Sequence, residues 1–300
     1  MKILFDNVSL ESTSGPNGFA RKLQSQLEKE HEISLIASET FIPDIQLSFI
    51  ASHYQFAPIV QRLDGIYFNT DQDWRALNSP IKHTYEVAAS VIFQSEFNKK
   101  LTTKFFGEHE NSHIIRNGTD LNLISDIKPM ENEILDNFEN VWVCASSWRP
   151  HKRLSENIRY FIEKSAKYDC LVICGENPDV KISDPRIFYA GHLRWIDLIS
   201  LYRRATHFIH LSFLDHCPNV VVDARAAGCH IVCSSTGGTK EIAGKNSTVI
   251  VEDEWDFTPM KLYNPPVMDF SNTVAGDQDE SIDISEIGKM YLGVLENTLS

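Results

Sequence analysis

Three hundred residues, 42% of them hydrophobic, are enough for about two domains with buried cores. The net charge is −13, but residues 251–300 hold eleven Asp or Glu against two Lys, a net of −9, which leaves −4 for the first 250. That acidic balance disfavours nonspecific binding to nucleic acid or anionic membranes, and no apolar run approaches the roughly 20 residues that span a bilayer.

The chain opens with "KILFDNV", a strand, and "SGPNGFARKLQSQLEKE", a Gly-containing turn running into an amphipathic helix. Strands follow in "EISLIA" and within "APIVQRLDGIYF", and then "HTYEVAASVIFQSEFNKKLTTKFFG" reads as helix, strand and helix ending at Gly107. "SHIIRNGTD" is a strand leaving into a turn, and the polar stretch 125–140 reads as a linker. The pattern restarts with strand "VWVCASS", helix "RLSENIRYFIEKSA" and strands "CLVICGE" and "RIFYAGH". Helix "WIDLISLYRRA", strand "HFIHLS", helix "NVVVDARAAG" and strand "HIVCSS" come next, with a short helix in "GTKEIAG" and "STVIV" closing the sheet. Residues 254–283 look irregular, and "ISEIGKMYLGVLENTL" is a final helix. Such alternation predicts parallel sheets with crossover helices, hence an α/β chain of two doubly wound domains. The expected bounds are 1–124, a linker at 125–140, a second domain at 141–284 and a terminal helix at 285–300.

All six cysteines lie between residues 144 and 233 without a CxxC pair, and reduced core thiols are the reading preferred over metal or disulfide use. "MKILFD" resembles an opening strand more than a signal peptide, so a cytoplasmic protein is expected.

Doubly wound domains bind ligands outside the carboxyl ends of their strands. In "LDHCPNVVVDARAAGC" Pro218 suits a first helical turn and Gly228 a helix end, so the N–H groups of Asn219, Val220 and Val221 mark an anion-attracting helix start. Asp215 sits just before it and Asp223 one turn inside. Carboxylates beside such an end accept sugar hydroxyls better than they hold phosphate, which suits a nucleotide-sugar. The alternative is a dipole-favoured acid plus a solvated one. Gly237-Gly238 offers a second anion cradle. Arg149, Lys152 and Arg153 are cations able to neutralise a diphosphate. Gly15 and Gly18 allow close backbone approach after the first strand.

Taken together, these motifs resemble the GT-B glycosyltransferases, in particular the retaining glycosyltransferase family 4, over nearly the whole chain and most strongly over 141–250. The family's acid–seven residues–acid motif matches Asp215 and Asp223, its helix-end Gly matches Gly228, and its Gly-Gly-x-x-Glu matches Gly237, Gly238 and Glu241. The resemblance implies two Rossmann-like domains facing across a cleft. Asp215 would contact the transferred sugar, Asp223 the ribose and Lys152 the phosphate, with the base near His192. It also implies retention, with no cofactor besides the nucleotide-sugar substrate.

There are departures. Aligning Lys152 to the family's lysine puts Ser147 where arginine is usual, so Arg149 or Arg153 must substitute. Both motif acids are Asp where Glu is usual. The family's amino-terminal histidine is matched by Asp64, as an acceptor contact and base or as a structural partner of Arg62. His216 is a donor contact or a cap. His207 and His210 read as strand residues, and the sequon at Asn117 as idle. Neither "DQD", at 71–73 or 277–279, follows a donor-domain strand, so no metal is expected. The acceptor is a glycan, a lipid or a hydroxylated DNA base, and no specific protein partner is predicted. The rival reading is a noncatalytic nucleotide-sugar-binding module of the same fold.

Overall fold

Six short, largely apolar strands make the first of two sheets in the computed structural model, which describes residues 1–12 and 14–300. They are β1 (Lys2–Asp6), β2 (Glu32–Ser34), β3 (Ile45–Phe49), β4 (Ile59–Leu63), β5 (Ser90–Phe93) and β6 (Ser112–Ile114), in the order β2-β1-β3-β4-β5-β6. Every neighbouring pair is parallel. Such sheets are covered on both faces, and β3, β4 and β5 are accordingly buried throughout. Helices α1 (Gly15–Leu27), α2 (Trp74–Val87) and α3 (Glu96–Phe106) are the crossovers.

β3 escapes the sequence reading because Gln46 and Ser48 interrupt its apolar pattern. Gln46 is buried but satisfied, its Nε2 lying 3.0 Å from Asp6 Oδ2 and 2.9 Å from the Tyr54 carbonyl. α2 begins well before "HTYEV", with Pro80 inside it. Asp73 caps it by accepting from Ala76 N at 3.1 Å, and Asn78, Ile81, Thr84 and Tyr85 bury one face.

The second sheet holds β7 (Asn140–Ala145), β8 (Asp169–Cys174), β9 (Ile187–Gly191), β10 (His207–His210), β11 (His230–Ser234), β12 (Ser247–Ile250) and β13 (Thr273–Ala275). Its order is β13-β12-β11-β10-β7-β8-β9. Counted within this unit, the six parallel strands run 3-2-1-4-5-6, so the order reverses between β7 and β10. β13 lies in the stretch expected to be irregular and pairs antiparallel with β12. Helices α4 (Leu121–Asp126), α5 (Leu154–Lys164), α6 (Trp195–Arg204) and α7 (Asn219–Ala226) complete the unit. "GTKEIAG" forms only one 3₁₀ turn, Thr239–Glu241, where a helix was expected.

The compact units are Met1–Asp120 with Phe257–Met260 and Ser281–Ser300, and Leu121–Asp256 with Lys261–Glu280. The stretch expected as a linker packs into the second, Met130 N donating to the Ser200 carbonyl at 2.8 Å. Helix α8 (Ile284–Leu299) is no separate segment: Ile284, Ile287, Tyr291, Val294 and Leu295 join the core of the first unit with Phe5 and Phe19. Burial of that stripe keeps the chain end in place. All six cysteines are buried thiols, Cys174 pushed up to about 12 by burial. Among the described residues no helix is long and apolar enough to cross a membrane.

Candidate functional site

β7 and β10 lie side by side at the reversal of strand order, and the loops leaving them bring two distant residues together. Lys152 Nζ lies 2.6 Å from Asp215 Oδ2, both side chains mostly buried. His210, the last residue of β10, brings Nε2 to 2.9 Å from the same oxygen, and the backbone N–H of His216 donates to Asp215 Oδ1 at 3.0 Å.

The backbone under this cluster is constrained. Leu214, just before Asp215, has φ 55°, a left-handed conformation that costs energy for a branched residue and persists only when its surroundings enforce it. Gly238 N enforces it by donating to the Asp215 carbonyl at 2.7 Å. Gly237, at φ +79°, approaches so closely that a Cβ would lie 2.5 Å from the Asp215 carbonyl oxygen. The glycine pair predicted as an anion cradle thus braces the loop that carries Asp215.

The electrostatics follow from these contacts. Burial would raise Asp215, but the Lys152 charge and the His210 hydrogen bond outweigh it and hold the carboxyl well below the usual range. Burial lowers His210, with Asp215 opposing. His151 falls to about 3 and His216 to about 4, burial being the largest cause in each. At neutral pH the cluster is therefore one ion pair among neutral imidazoles. His151 stacks on Tyr263, ring centroids 5.4 Å apart.

Arg153, grouped with Lys152 as a diphosphate cation, points elsewhere. Its left-handed backbone, φ 50°, turns the side chain inward, where its Nη atoms meet both oxygens of Glu252 at 2.8 and 3.0 Å. It also donates to the Pro266 carbonyl at 2.9 Å and stacks over Phe213. Glu252 in turn takes the Ser234 hydroxyl, so this buried network ties together the ends of β7, β11 and β12. Arg149 is exposed.

Asp223 is buried on α7 and accepts the indole N–H of Trp195 on Oδ2 at 2.9 Å. Asn219 and Val220 stand half-buried at the start of α7, with Pro218 as its cap. Val221 returns its N–H to the Pro218 carbonyl at 3.0 Å, so that helix end offers fewer donors than its first turn contains. His192 is exposed and lines, with Gly175, Glu176, Lys181 and Tyr189, a cavity of about 360 Å³ beyond β8 and β9. Gly175 is required there, since a Cβ would lie 1.8 Å from the Ser146 carbonyl oxygen.

Three of the predicted residues belong to the first unit. Gly15 and Gly18 open α1, Gly18 N donating to the Ser14 carbonyl at 2.8 Å. Asp64 Oδ2 accepts from Arg62 Nη1 and its Oδ1 from Gln94 Nε2, the contacts of the expected pair with Arg62, while burial raises its pKa. Arg62 is fully buried; it donates to Tyr291 Oη at 3.0 Å and Asn117 Oδ1 at 2.7 Å. Burial works against its charge, but Asp64 and Tyr291 more than offset that and raise its pKa. Asn117 is itself 3% exposed, so its sequon sits where a glycan has no room.

The sequence reading took His210 for a strand residue and gave Trp195 no role. For His210 one signal was available: it ends a strand five residues before a motif acid. Trp195 carried none, because its contact with Asp223 spans 28 positions.

Residues 139–258 match the family of group 1 glycosyl transferases. No curated protein matches the sequence. Among solved structures, HepE of Anabaena in complex with UDP and glucose is similar over 99% of this chain and 100% of its own, at TM-score 0.68 and 16% identity. Sucrose-phosphate synthase from Thermosynechococcus elongatus is similar over 99% and 96%, at TM-score 0.63 and 11% identity. A Listeria monocytogenes protein named for UDP-N-acetylglucosamine 2-epimerase is similar over 99% and 88%, at TM-score 0.52 and 14% identity. At these identities the likeness is one of fold, and a fold does not by itself fix a function. The fold is GT-B, and residues 139–258, which carry the Lys152–Asp215 pair, match the group 1 glycosyl transferases.

Proposed function

We propose that this protein transfers a sugar from a nucleoside-diphosphate sugar to an acceptor hydroxyl, with the donor held by the second unit. The observation that carries this reading is the Lys152–Asp215 pair at the strand-order reversal, inside the stretch that matches the glycosyl transferases. Lys152 turns to the diphosphate, Asp215 faces the transferred sugar, Asp223 the ribose, and the cavity beside His192 receives the base. The bond from the anomeric carbon to the phosphate oxygen breaks as the acceptor oxygen bonds to that carbon on the same face. The leaving phosphate takes the acceptor proton. Retention rests on the family resemblance, and glycans, lipids and hydroxylated DNA bases stay within the acceptor class. A screen of nucleotide-sugars for nucleotide release, with and without acceptors, tests the proposal; no turnover of any donor overturns it.

The second reading, a noncatalytic nucleotide-sugar-binding module, is favoured by one observation. Arg153 is committed to Glu252, so of the two arginines expected to substitute for the family's arginine the exposed Arg149 alone is left beside Lys152. Tight nucleotide binding without turnover would select it.

The two motif acids should separate by titration calorimetry with UDP. Asp223→Ala should weaken UDP roughly tenfold or more, since free nucleotide contains the ribose and a hydrogen bond to a charged group is worth about 1.5–3 kcal/mol. Asp215→Ala should leave UDP affinity unchanged or tighter, because Lys152 loses its competing carboxylate, while turnover collapses. Equal losses of UDP affinity would refute the assignment.

Transfer is expected to continue in EDTA. The leaving diphosphate needs positive charge, and Lys152 is placed to supply it. One acid of each Asp-Gln-Asp stretch has other work: Asp73 caps α2 and Asp279 pairs with Lys245. Activity lost in EDTA and restored by Mg²⁺ or Mn²⁺ would overturn the metal-free route.

A further inference from the structure

His210 has no part in the donor contacts above, yet it is 4% exposed and bonded to the oxygen that also holds Lys152. An ionised Asp215 accepts at that oxygen, so His210 presents Nε2–H to it and the neutral ring keeps Nδ1 unprotonated. A buried carboxylate left without a countercharge is strongly unfavourable. A diphosphate that draws Lys152 away leaves Asp215 in that condition.

We propose that His210 is the positioning residue of Asp215: when Lys152 turns to the donor's diphosphate, the His210 imidazole takes one proton from solvent and becomes the counterion that keeps the carboxylate charged and in place. The step rests on Lys152 being the diphosphate's cation. One proton moves from solvent to Nδ1, and no other bond forms or breaks.

The groups facing His210 agree with this. From the β7 loop come Lys152 and His151, with Arg149 acting on His151; from the β10 loop comes Asp215, on which His216 also acts. Burial keeps the His210 ring neutral in the free protein, Lys152 adds to that and Asp215 opposes it, so departure of the ammonium shifts the balance toward the protonated ring. Of the three imidazoles, His210 is the one bonded to the oxygen that Lys152 vacates.

Two measurements test the proposal. In Lys152→Ala, the NMR titration of the His210 ring should show its proton-dissociation constant lowered roughly tenfold or more against wild type. Calorimetry of UDP binding at pH 7, in two buffers of different ionisation enthalpy, should show wild type taking up about one proton more than His210→Gln. The variant keeps a donor to Asp215 and cancels the nucleotide's own ionisation. Equal proton uptake in the two proteins, or a His210 titration unmoved by Lys152→Ala, overturns the proposal while the donor reading stands. Failure of UDP and other nucleoside diphosphates to bind overturns both. Should His210→Gln not fold, the Lys152→Ala titration decides alone.

Discussion

Lys152→Ala should lower kcat/KM for transfer by roughly 10²–10³ while moving the melting temperature little. Departure of a nucleoside diphosphate places negative charge on the leaving oxygens, and removing one preorganised donor to such charge costs about 2.7–4 kcal/mol. Compensation from the same loop is small, because Arg153 is committed to Glu252 and Arg149 is exposed. Stability should suffer less, since a protonated His210 replaces the lost countercharge of Asp215 and the His216 N–H remains. Steady-state kinetics with a melting curve on the same preparation checks both halves. Activity within a few-fold of wild type would remove Lys152 from the transition state and leave the pair a purely structural one. In the double variant Lys152→Ala/Asp215→Ala the losses should not add, because the two residues neutralise each other.

Arg153→Ala should do the reverse and unfold the second unit readily. Breaking a buried ion pair by removing one partner costs about 3–5 kcal/mol, a large share of the roughly 5–15 kcal/mol that holds a domain folded. The Arg153 and Glu252 side chains are 1% and 10% exposed, and the variant also loses the bond to the Pro266 carbonyl and the stacking on Phe213. Arg153→Lys should rescue only part, because an ammonium cannot match both carboxylate oxygens. Arg153→Met with Glu252→Leu should be far less harmful than either single change, since no charge is left buried and alone. Chemical denaturation monitored by tryptophan fluorescence measures each. An Arg153→Ala protein that melts normally but loses nucleotide binding would return this residue to the phosphate site.

The spacing of apolar runs and turns was sufficient for the α/β class, for the doubly wound restart near residue 140 and for the limits of α8, because strand and helix periodicities are local properties. The Asp215–Asp223 spacing and the position of Lys152 after a strand were equally legible. β3 and β13 were not, since one buries polar residues that only tertiary partners satisfy and the other is a short, exposed edge. Nor could a local pattern distinguish Lys152 from its neighbour Arg153. Which of two adjacent cations meets Asp215, 63 positions on, and which meets Glu252, 99 positions on, depends on a left-handed turn and on where β10 and β12 fall in the sheet. His210 reads as an ordinary strand residue until β10 is set beside β7 and its ring meets the same carboxylate as Lys152. The sequence by itself determined the elements and the chemistry available at their ends. The strand order and the backbone turns decided which of those groups face one another, because side-chain contacts between distant residues exist only once the sheet brings their loops together.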